Sequence, residues 1–368
     1  MRVQTQTTVP EFQRDIPLSR HTTIGLGGPA RYFVDCASLA EIRGVLDESA
    51  RLGLPLQVVG GGSNLIFPDD GYAGIVMRIG LSGIEWIDDG PCVISHVMAG
   101  ERWDEFVRSA VARRLSGIEC LSGIPGSVGA VPIQNVGAYG QEVTETIIAV
   151  HAIDRTTGAE REFSNAECEF GYRMSRFKAR DANRWIVTRV SFRLRKDRQL
   201  SRSVYPELKR YLESQTPGAL SPQSDSAEVL TLIREAVLAL RRKKSMVIDP
   251  SDPDTRSVGS YFMNPIVTPA RFREIEARWL TAHPSTPIPS FQSPGSEDVK
   301  IPAAWLIEHA GFQKGYRRGG VGISSHHTLA LVNYGGTTAE LFALENEIRA
   351  GVQSVFGFVL EREAIAVE

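Results

Sequence analysis

Two glycine-rich stretches constrain this chain more than any other feature. The first, Gly60-Gly61-Gly62-Ser63-Asn64, follows directly on the apolar run LPLQVV (54–59), which reads as a short buried strand. Three consecutive glycines let the backbone turn sharply and aim successive N–H groups at one anion, and Ser63 and Asn64 add side-chain donors. Taken alone, this stretch reads equally as a plain glycine-rich turn. The second runs Ser122-Gly123-Ile124-Pro125-Gly126-Ser127-Val128-Gly129-Ala130, then Gln134-Asn135-Val136-Gly137-Ala138-Tyr139-Gly140. It is rich in glycine and small polar donors and nearly free of charge, so it can wrap round a pyrophosphate and a flat heteroaromatic ring. Two separate cradles suit a long dinucleotide such as FAD better than a single phosphate.

Other glycine signals lead elsewhere. Gly25-Leu26-Gly27-Gly28-Pro29-Ala30 formally fits the dinucleotide fingerprint GxGxxG/A, but no buried strand precedes it and no helix follows before Tyr32-Phe33-Val34, so it reads as a structural turn. No GxxxxGK[ST] occurs. Along the chain, Ser38 and Glu41 form a capping box, with Leu39, Ile42 and Leu46 on one helical face and Gly53 as a stop. GIVMRI (74–79), TIIAVHAID (146–154) and RWIVTRVSFRL (184–194) read as strands. Trp103, Phe106, Val107, Ala110 and Val111 mark a second helix ending near Gly117. A polar loop is expected over 213–229 and a helix over 227–242, ending in Arg241-Arg242-Lys243-Lys244. DPSDPDTRS (249–257) reads as a linker. Pro302 opens a short helix that closes at Gly311, beside a long loop over 286–298. Thr337 and Glu340 open a helix to about 352, and GFVLEREAIAV (357–367) reads as a final strand. The fold class is α+β, with units expected at 1–80, 81–245 and 246–356 and with 357–368 returning to the second.

At 368 residues the chain exceeds one ordinary core. Its 42% hydrophobic and 23% charged residues fit a globular protein, and a formal charge of -2 favours neither nucleic acid nor an acidic membrane as partner. The polar start MRVQTQTTVPEFQRD carries no signal-peptide pattern, and no run reaches the ~18 apolar residues of a membrane span, so a cytoplasmic location is expected. Cys36, Cys92, Cys120 and Cys168 lack CxxC spacing and read as reduced thiols, with no metal site.

Seven segments together carry a resemblance: HTTIGLGGPARYF (21–33), VVGGGSNLI (58–66), SGIPGSVGAVPIQNVGAYG (122–140), FGYRMSRFK (170–178), GSYFMNP (259–265), AAWLIEHAG (303–311) and VLEREA (359–364). In this order they resemble the UDP-N-acetylenolpyruvoylglucosamine reductase family, over nearly the whole chain from about Leu18. The first three are also similar to the wider flavoprotein superfamily that includes vanillyl-alcohol oxidase. The resemblance implies two α+β subdomains of that FAD-binding type and a C-terminal α+β substrate domain. Tyr205, in RSVYPELKRYL, stands where the family's long form carries a tyrosine that reaches the substrate diphosphate.

The resemblance implies non-covalent FAD, held by Gly60, Gly61, Gly62, Ser63, Asn64, Gly123, Ile124, Pro125, Gly126, Ser127, Gly129, Gln134, Asn135, Gly137 and Ala138. It implies NADPH as reductant and UDP-N-acetylglucosamine enolpyruvate as substrate in peptidoglycan synthesis, the two alternating in one site of a monomer. Hydride addition to the enol ether builds charge on the neighbouring carbon and its carboxylate. Arg173 resembles the arginine that stabilises this charge, and its planar fork suits a carboxylate. Ser260 resembles the proton donor, and Glu363 the catalytic glutamate, with Glu361 as the alternative two residues away. Tyr205, Lys244 and Asn264 resemble positions that hold the UDP moiety, and Tyr139 and His327 positions that line the sugar or enolpyruvyl pocket. The alternative within the superfamily is a flavin-dependent small-molecule oxidase.

Overall fold

The computed structural model describes residues 10–196, 205–217, 226–292 and 296–368. They form two compact units. The first takes the residues up to Ile16, Pro29–Gly62 and Tyr72–Val247; the second takes Pro17–Gly28, Ser63–Gly71 and Ile248–Glu368.

In the first unit, the Ser38 hydroxyl accepts from the Glu41 N–H at 3.2 Å and the Glu41 carboxylate accepts from the Ser38 N–H at 3.0 Å. That reciprocal cap starts the helix Leu39–Leu52, which ends at Gly53 with φ 63°. The helix connects Pro29–Cys36 to Leu56–Val59 in sequence, two strands of a four-stranded sheet ordered Gln13–Pro17, Pro29–Cys36, Tyr72–Ile79, Leu56–Val59. Tyr72–Ile79 pairs in parallel with both of its neighbours. A second sheet is five-stranded, ordered Glu160–Ser164, Ile147–Asp154, Trp185–Arg195, Cys92–Met98, Ile84–Asp89, and antiparallel throughout. Alternation in RWIVTRVSFRL sends Val190, Phe192 and Leu194 into the core, where Val190 faces Val97 on one side and Val150 on the other.

One apolar cluster joins Val34, Ile75 and Met77 from the first sheet to Val97, Phe106, Val190 and Phe192. The expected division near residue 80 is therefore not a structural boundary, because both sides share this core. The helix Trp103–Ala112 ends at an Arg113 cap, before the expected Gly117. The helices Pro206–Gln215 and Ser226–Arg242 bury Leu208, Leu212, Ile233 and Val237 against each other. They take up both ends of the expected loop; its residues 218–225 lie outside the described residues.

The second unit is gathered round Tyr261, Phe262, Leu306, Ile307, Leu331, Leu344 and Ile348. Its longest helix, Thr338–Phe356, has the expected capping box from Thr337 and Glu340 but runs on to a left-handed Gly357 with φ 78°. The Asp69 carboxylate accepts from the N–H groups of Thr338 and Ala339 at 2.7 and 2.9 Å, satisfying two donors at the helix start. The HTTIGLGG segment is a turn: Leu18 and Ser19 N–H donate to the Gly28 and Gly27 carbonyls. It leads into the strand Pro29–Cys36 and not into a helix. The expected loop over 286–298 contains the short strand Phe291–Gln292, with 293–295 outside the described residues.

The C-terminal reading needs correction. Only Ile365–Ala366 forms a ladder, paired in parallel with Leu65–Ile66, and both strands lie in the second unit. The tail thus does not return to residues 81–245. Glu361, Arg362 and Glu363, the first of them exposed, interrupt the apolar pattern that a long buried strand needs. The segment 249–257 is also more than a solvated linker. Asp254 within it is buried and accepts from the Ser324 hydroxyl and the Ser325 N–H and hydroxyl at 2.8, 2.7 and 2.7 Å, and from the Tyr334 hydroxyl. These donors, the Tyr334 hydroxyl and the Ser325 and Ser324 groups, outweigh the effect of burial and hold its carboxyl at a pKa of about 2.

Candidate active site

The two glycine-rich stretches of the first unit pack backbone against backbone. A Cβ at Gly61 would stand 2.6 Å from the Gly126 Cα, and one at Gly60 would meet the Ser127 Oγ. At Gly61, where the contact is with backbone, only glycine permits this approach. The second stretch is pinned at both ends. At its start, the Gly123 N–H donates to Asp104 at 2.6 Å, and the same carboxylate receives both Nη atoms of Arg234 at 2.7 and 2.8 Å. At its end, the buried Glu119 accepts from the Gln141 amide at 2.9 Å while the Gln141 carbonyl oxygen accepts from the Cys120 N–H at 2.8 Å. Burial pushes the Glu119 carboxyl pKa up. Arg241 stands beside Gly123; its Nη2 donates to the Met246 carbonyl at 2.8 Å, while its buried Nε has no hydrogen-bond partner among the described residues. A pinned, charge-poor cradle with an unsatisfied guanidinium nitrogen fits the pyrophosphate of a dinucleotide such as FAD.

Arg173 is fixed on this cradle. Its Nη2 donates to the Gly137 carbonyl at 2.7 Å. It sits in a tight FGYR turn closed by Gly171 and Met174 N–H to the opposite carbonyls at 2.9 and 3.1 Å, with φ 53°. A left-handed arginine costs on the order of 1 kcal/mol or more, and such strain concentrates at functional sites. The Asn135 amide holds the turn to the cradle, donating to the Gly171 carbonyl at 2.9 Å and to Glu142 at 2.8 Å.

Tyr139, Tyr205 and Lys244 meet in the first unit, although far apart in sequence. The two tyrosine rings stand edge to face with centroids 6.0 Å apart, and the Lys244 ammonium lies 5.8 Å from the Tyr139 centroid. Lys244 also pairs with Glu207 at 2.7 Å. Burial raises the Tyr139 phenol pKa to about 12.

The remaining candidates belong to the second unit, and the boundary between units falls within Gly60–Asn64. The Glu363 N–H donates to the Tyr261 carbonyl at 2.8 Å, which brings its main chain beside that of Ser260. The Asn64 amide reaches the Glu363 carbonyl at 3.4 Å. The Tyr261 N–H donates to Leu329 in the turn that carries His327, at 2.7 Å. Asn264 stands apart from this group: its side-chain oxygen accepts from the Ala303 N–H at 2.9 Å and caps the helix Ala303–His309.

Sequence reasoning passed over Arg241, which sits in a basic run that also reads as an ordinary helix C-terminus. A signal was available. Arg234, Val237 and Arg241 recur at helical spacing on the stripe that buries Leu230 and Ile233, and arginines on a buried stripe need partners.

A profile described as FAD binding domain matches residues 30–164, and one described as UDP-N-acetylenolpyruvoylglucosamine reductase, C-terminal domain, matches residues 249–367. The UDP-N-acetylenolpyruvoylglucosamine reductase of Thermobifida fusca is 47% identical over 359 residues, covering 97% of this chain and 98% of its own. That of Streptomyces avermitilis is 45% identical over 354 residues, covering 96% and 94%. The crystal structure of the reductase from Thermus caldophilus aligns with a TM-score of 0.63 at 25% identity, covering 98% of this chain and 100% of the other.

Proposed function

The chain belongs to the UDP-N-acetylenolpyruvoylglucosamine reductase family, and from that membership we propose that it reduces UDP-N-acetylglucosamine enolpyruvate to UDP-N-acetylmuramate, with FAD as cofactor and NADPH as reductant. When bound, FAD supplies the hydride, from N5, to the terminal carbon of the enol ether. Gly60, Gly61, Gly62, Gly123, Ile124, Pro125, Gly126, Ser127, Gly129, Gln134, Asn135, Gly137 and Ala138 would hold it, with Ser63 and Asn64 as further donors and Arg241 as a cation for its pyrophosphate. Arg173 aims its guanidinium at the substrate carboxylate, where negative charge grows as the double bond is reduced. Ser260 gives its hydroxyl proton to the neighbouring carbon. Serine is a weak acid, and it serves here because that carbanion is strongly basic. Glu363 supports the proton donor. The observation that carries this reading is the Arg173 bond to the Gly137 carbonyl, which seats a carboxylate-matching cation on the cradle itself. The test is colour: NADPH should bleach the yellow protein under anaerobic conditions, and the enolpyruvyl sugar should restore the colour. Protein that is colourless, or that stays bleached with substrate, would refute the reading.

The UDP moiety is held by Tyr205, Lys244 and Asn264, with Tyr139 and His327 lining the sugar pocket. For Lys244→Ala we expect KM for the UDP-sugar to rise about tenfold while kcat changes by less than about twofold, because the ammonium binds ground state and transition state alike. A matching fall in kcat would assign Lys244 to the chemistry instead. No dinucleotide fingerprint remains for a second cofactor domain, so NADPH and the sugar are proposed to use one site in turn. Initial-velocity plots should then be parallel; convergent lines without double substrate inhibition would exclude a shared site. Cytoplasmic location and a monomeric state complete the proposal.

A further inference from the structure

We propose that Glu345 is a positioning residue that sets Ser260 and Glu363 in register for proton delivery; the proposal rests on the roles given to those two residues above. Glu345 lies on the apolar stripe of the helix Thr338–Phe356, among Leu341, Leu344 and Ile348, and is only 3% exposed. A carboxylate buried there is costly unless it is paired, and an apolar side chain of similar volume would serve packing alone at least as well. Its partners are specific. Oε2 accepts from the Tyr261 hydroxyl at 2.8 Å, and the Arg362 Nη1 lies 3.5 Å from the same oxygen. Arg349, one helical turn on, reaches Oε1 at 3.3 Å.

Tyr261 directly follows Ser260, and Arg362 directly precedes Glu363. The two segments are already joined by main chain, Glu363 N–H to the Tyr261 carbonyl at 2.8 Å and Met263 N–H to the Glu361 carbonyl at 2.9 Å, flanking a Phe262–Arg362 bridge. Two isolated backbone bonds leave such a bridge free to twist. Glu345 adds a second tie behind it, to one side chain from each segment. Both ties start from a packed helix, so the register of Ser260 against Glu363 is fixed from the core. Tyr261 has no exposed surface, and its N–H is also held by Leu329 at 2.7 Å, so its hydroxyl has little room to choose another partner.

The test uses the full-length FAD-loaded protein and a double-mutant cycle. Glu345→Gln keeps an oxygen for the Tyr261 hydroxyl and removes the charge that holds Arg362. Tyr261→Phe removes only the hydroxyl. We expect each to slow the return of colour with the enolpyruvyl sugar by about tenfold, to leave bleaching by NADPH and KM for the sugar within about twofold, and to add less than about twofold to the loss already caused by Ser260→Ala. A residue that matters only for folding would reduce both half-reactions together and would multiply with Ser260→Ala. The proposal is overturned if both variants turn over within about twofold of the parent, or if they keep their full effect in the Ser260→Ala background. If Glu345→Gln lowers the melting temperature enough to lose FAD, Tyr261→Phe alone decides. A Ser260→Ala protein as active as the parent would sink the proton-donor assignment itself, and Glu345 with it. A normal Ser260→Ala loss beside silent Glu345→Gln and Tyr261→Phe would overturn only the role of Glu345.

Discussion

Replacing Ser260 by Ala is expected to leave reduction by NADPH near its parent rate and to slow the substrate half-reaction by at least about a hundredfold. The asymmetry follows from where the hydroxyl acts. Under the proposed roles, reduction by NADPH draws no proton from Ser260, whereas completion of the sugar product draws one at the carbon beside the carboxylate. The exchange should not disturb the fold, because the neighbouring Tyr261 is fixed by its N–H to Leu329 and its carbonyl to Glu363, and only a hydroxyl is lost from a half-buried residue. Stopped-flow absorbance measures the two halves separately. Equal losses in both would remove Ser260 from the chemistry.

Gly61→Ala should yield folded protein that retains less than about a tenth of the parent FAD. The added Cβ would meet the Gly126 Cα at 2.6 Å and its carbonyl carbon at 3.0 Å. Both are backbone atoms of a segment pinned by Asp104 and by Glu119 with Gln141, so nothing flexible can yield and the cradle must open. Opening by even an ångström forfeits the close contacts on which binding of a flat ring depends. Gly60→Ala should be milder, because its added atom meets the Ser127 Oγ, which can rotate away. The FAD-to-protein absorbance ratio after dialysis, alongside circular dichroism, reads both outcomes. Full FAD retention by Gly61→Ala would show that the two stretches do not jointly hold the cofactor.

Local chemistry made much of the fold legible. Ser38 with Glu41, Thr337 with Glu340, and Gly53 after the first helix are signals that need no tertiary information, and each stands where expected. The alternation in RWIVTRVSFRL likewise fixed a central strand. What failed depended on distant partners. The tail pairs with Leu65–Ile66, roughly three hundred residues earlier in the chain by simple sequence separation, and periodicity within 357–367 cannot name that partner. Asp254 reads as linker because its donors come from Ser324, Ser325 and Tyr334. In the candidate site, motif resemblance supplied Arg173, Ser260 and Glu363, whereas Arg241 and Glu345 required a view of what surrounds a charge on a helical face.

The second unit draws its core from three separate lengths of chain, with Ile24, Leu26 and Ile66 packed among residues beyond Val258. Synthesis from the N-terminus therefore leaves the first two pieces waiting until the third, beyond Val247, has been made. Ile365 and Ala366, roughly three hundred residues after their partners, then close the strand pair on Leu65 and Ile66. An excised fragment starting at Ile248 would lack those apolar side chains and the Asp69 cap of its longest helix. The unit is thus a product of the whole chain, assembled late, and it cannot be lifted out as a module by cutting at one bond.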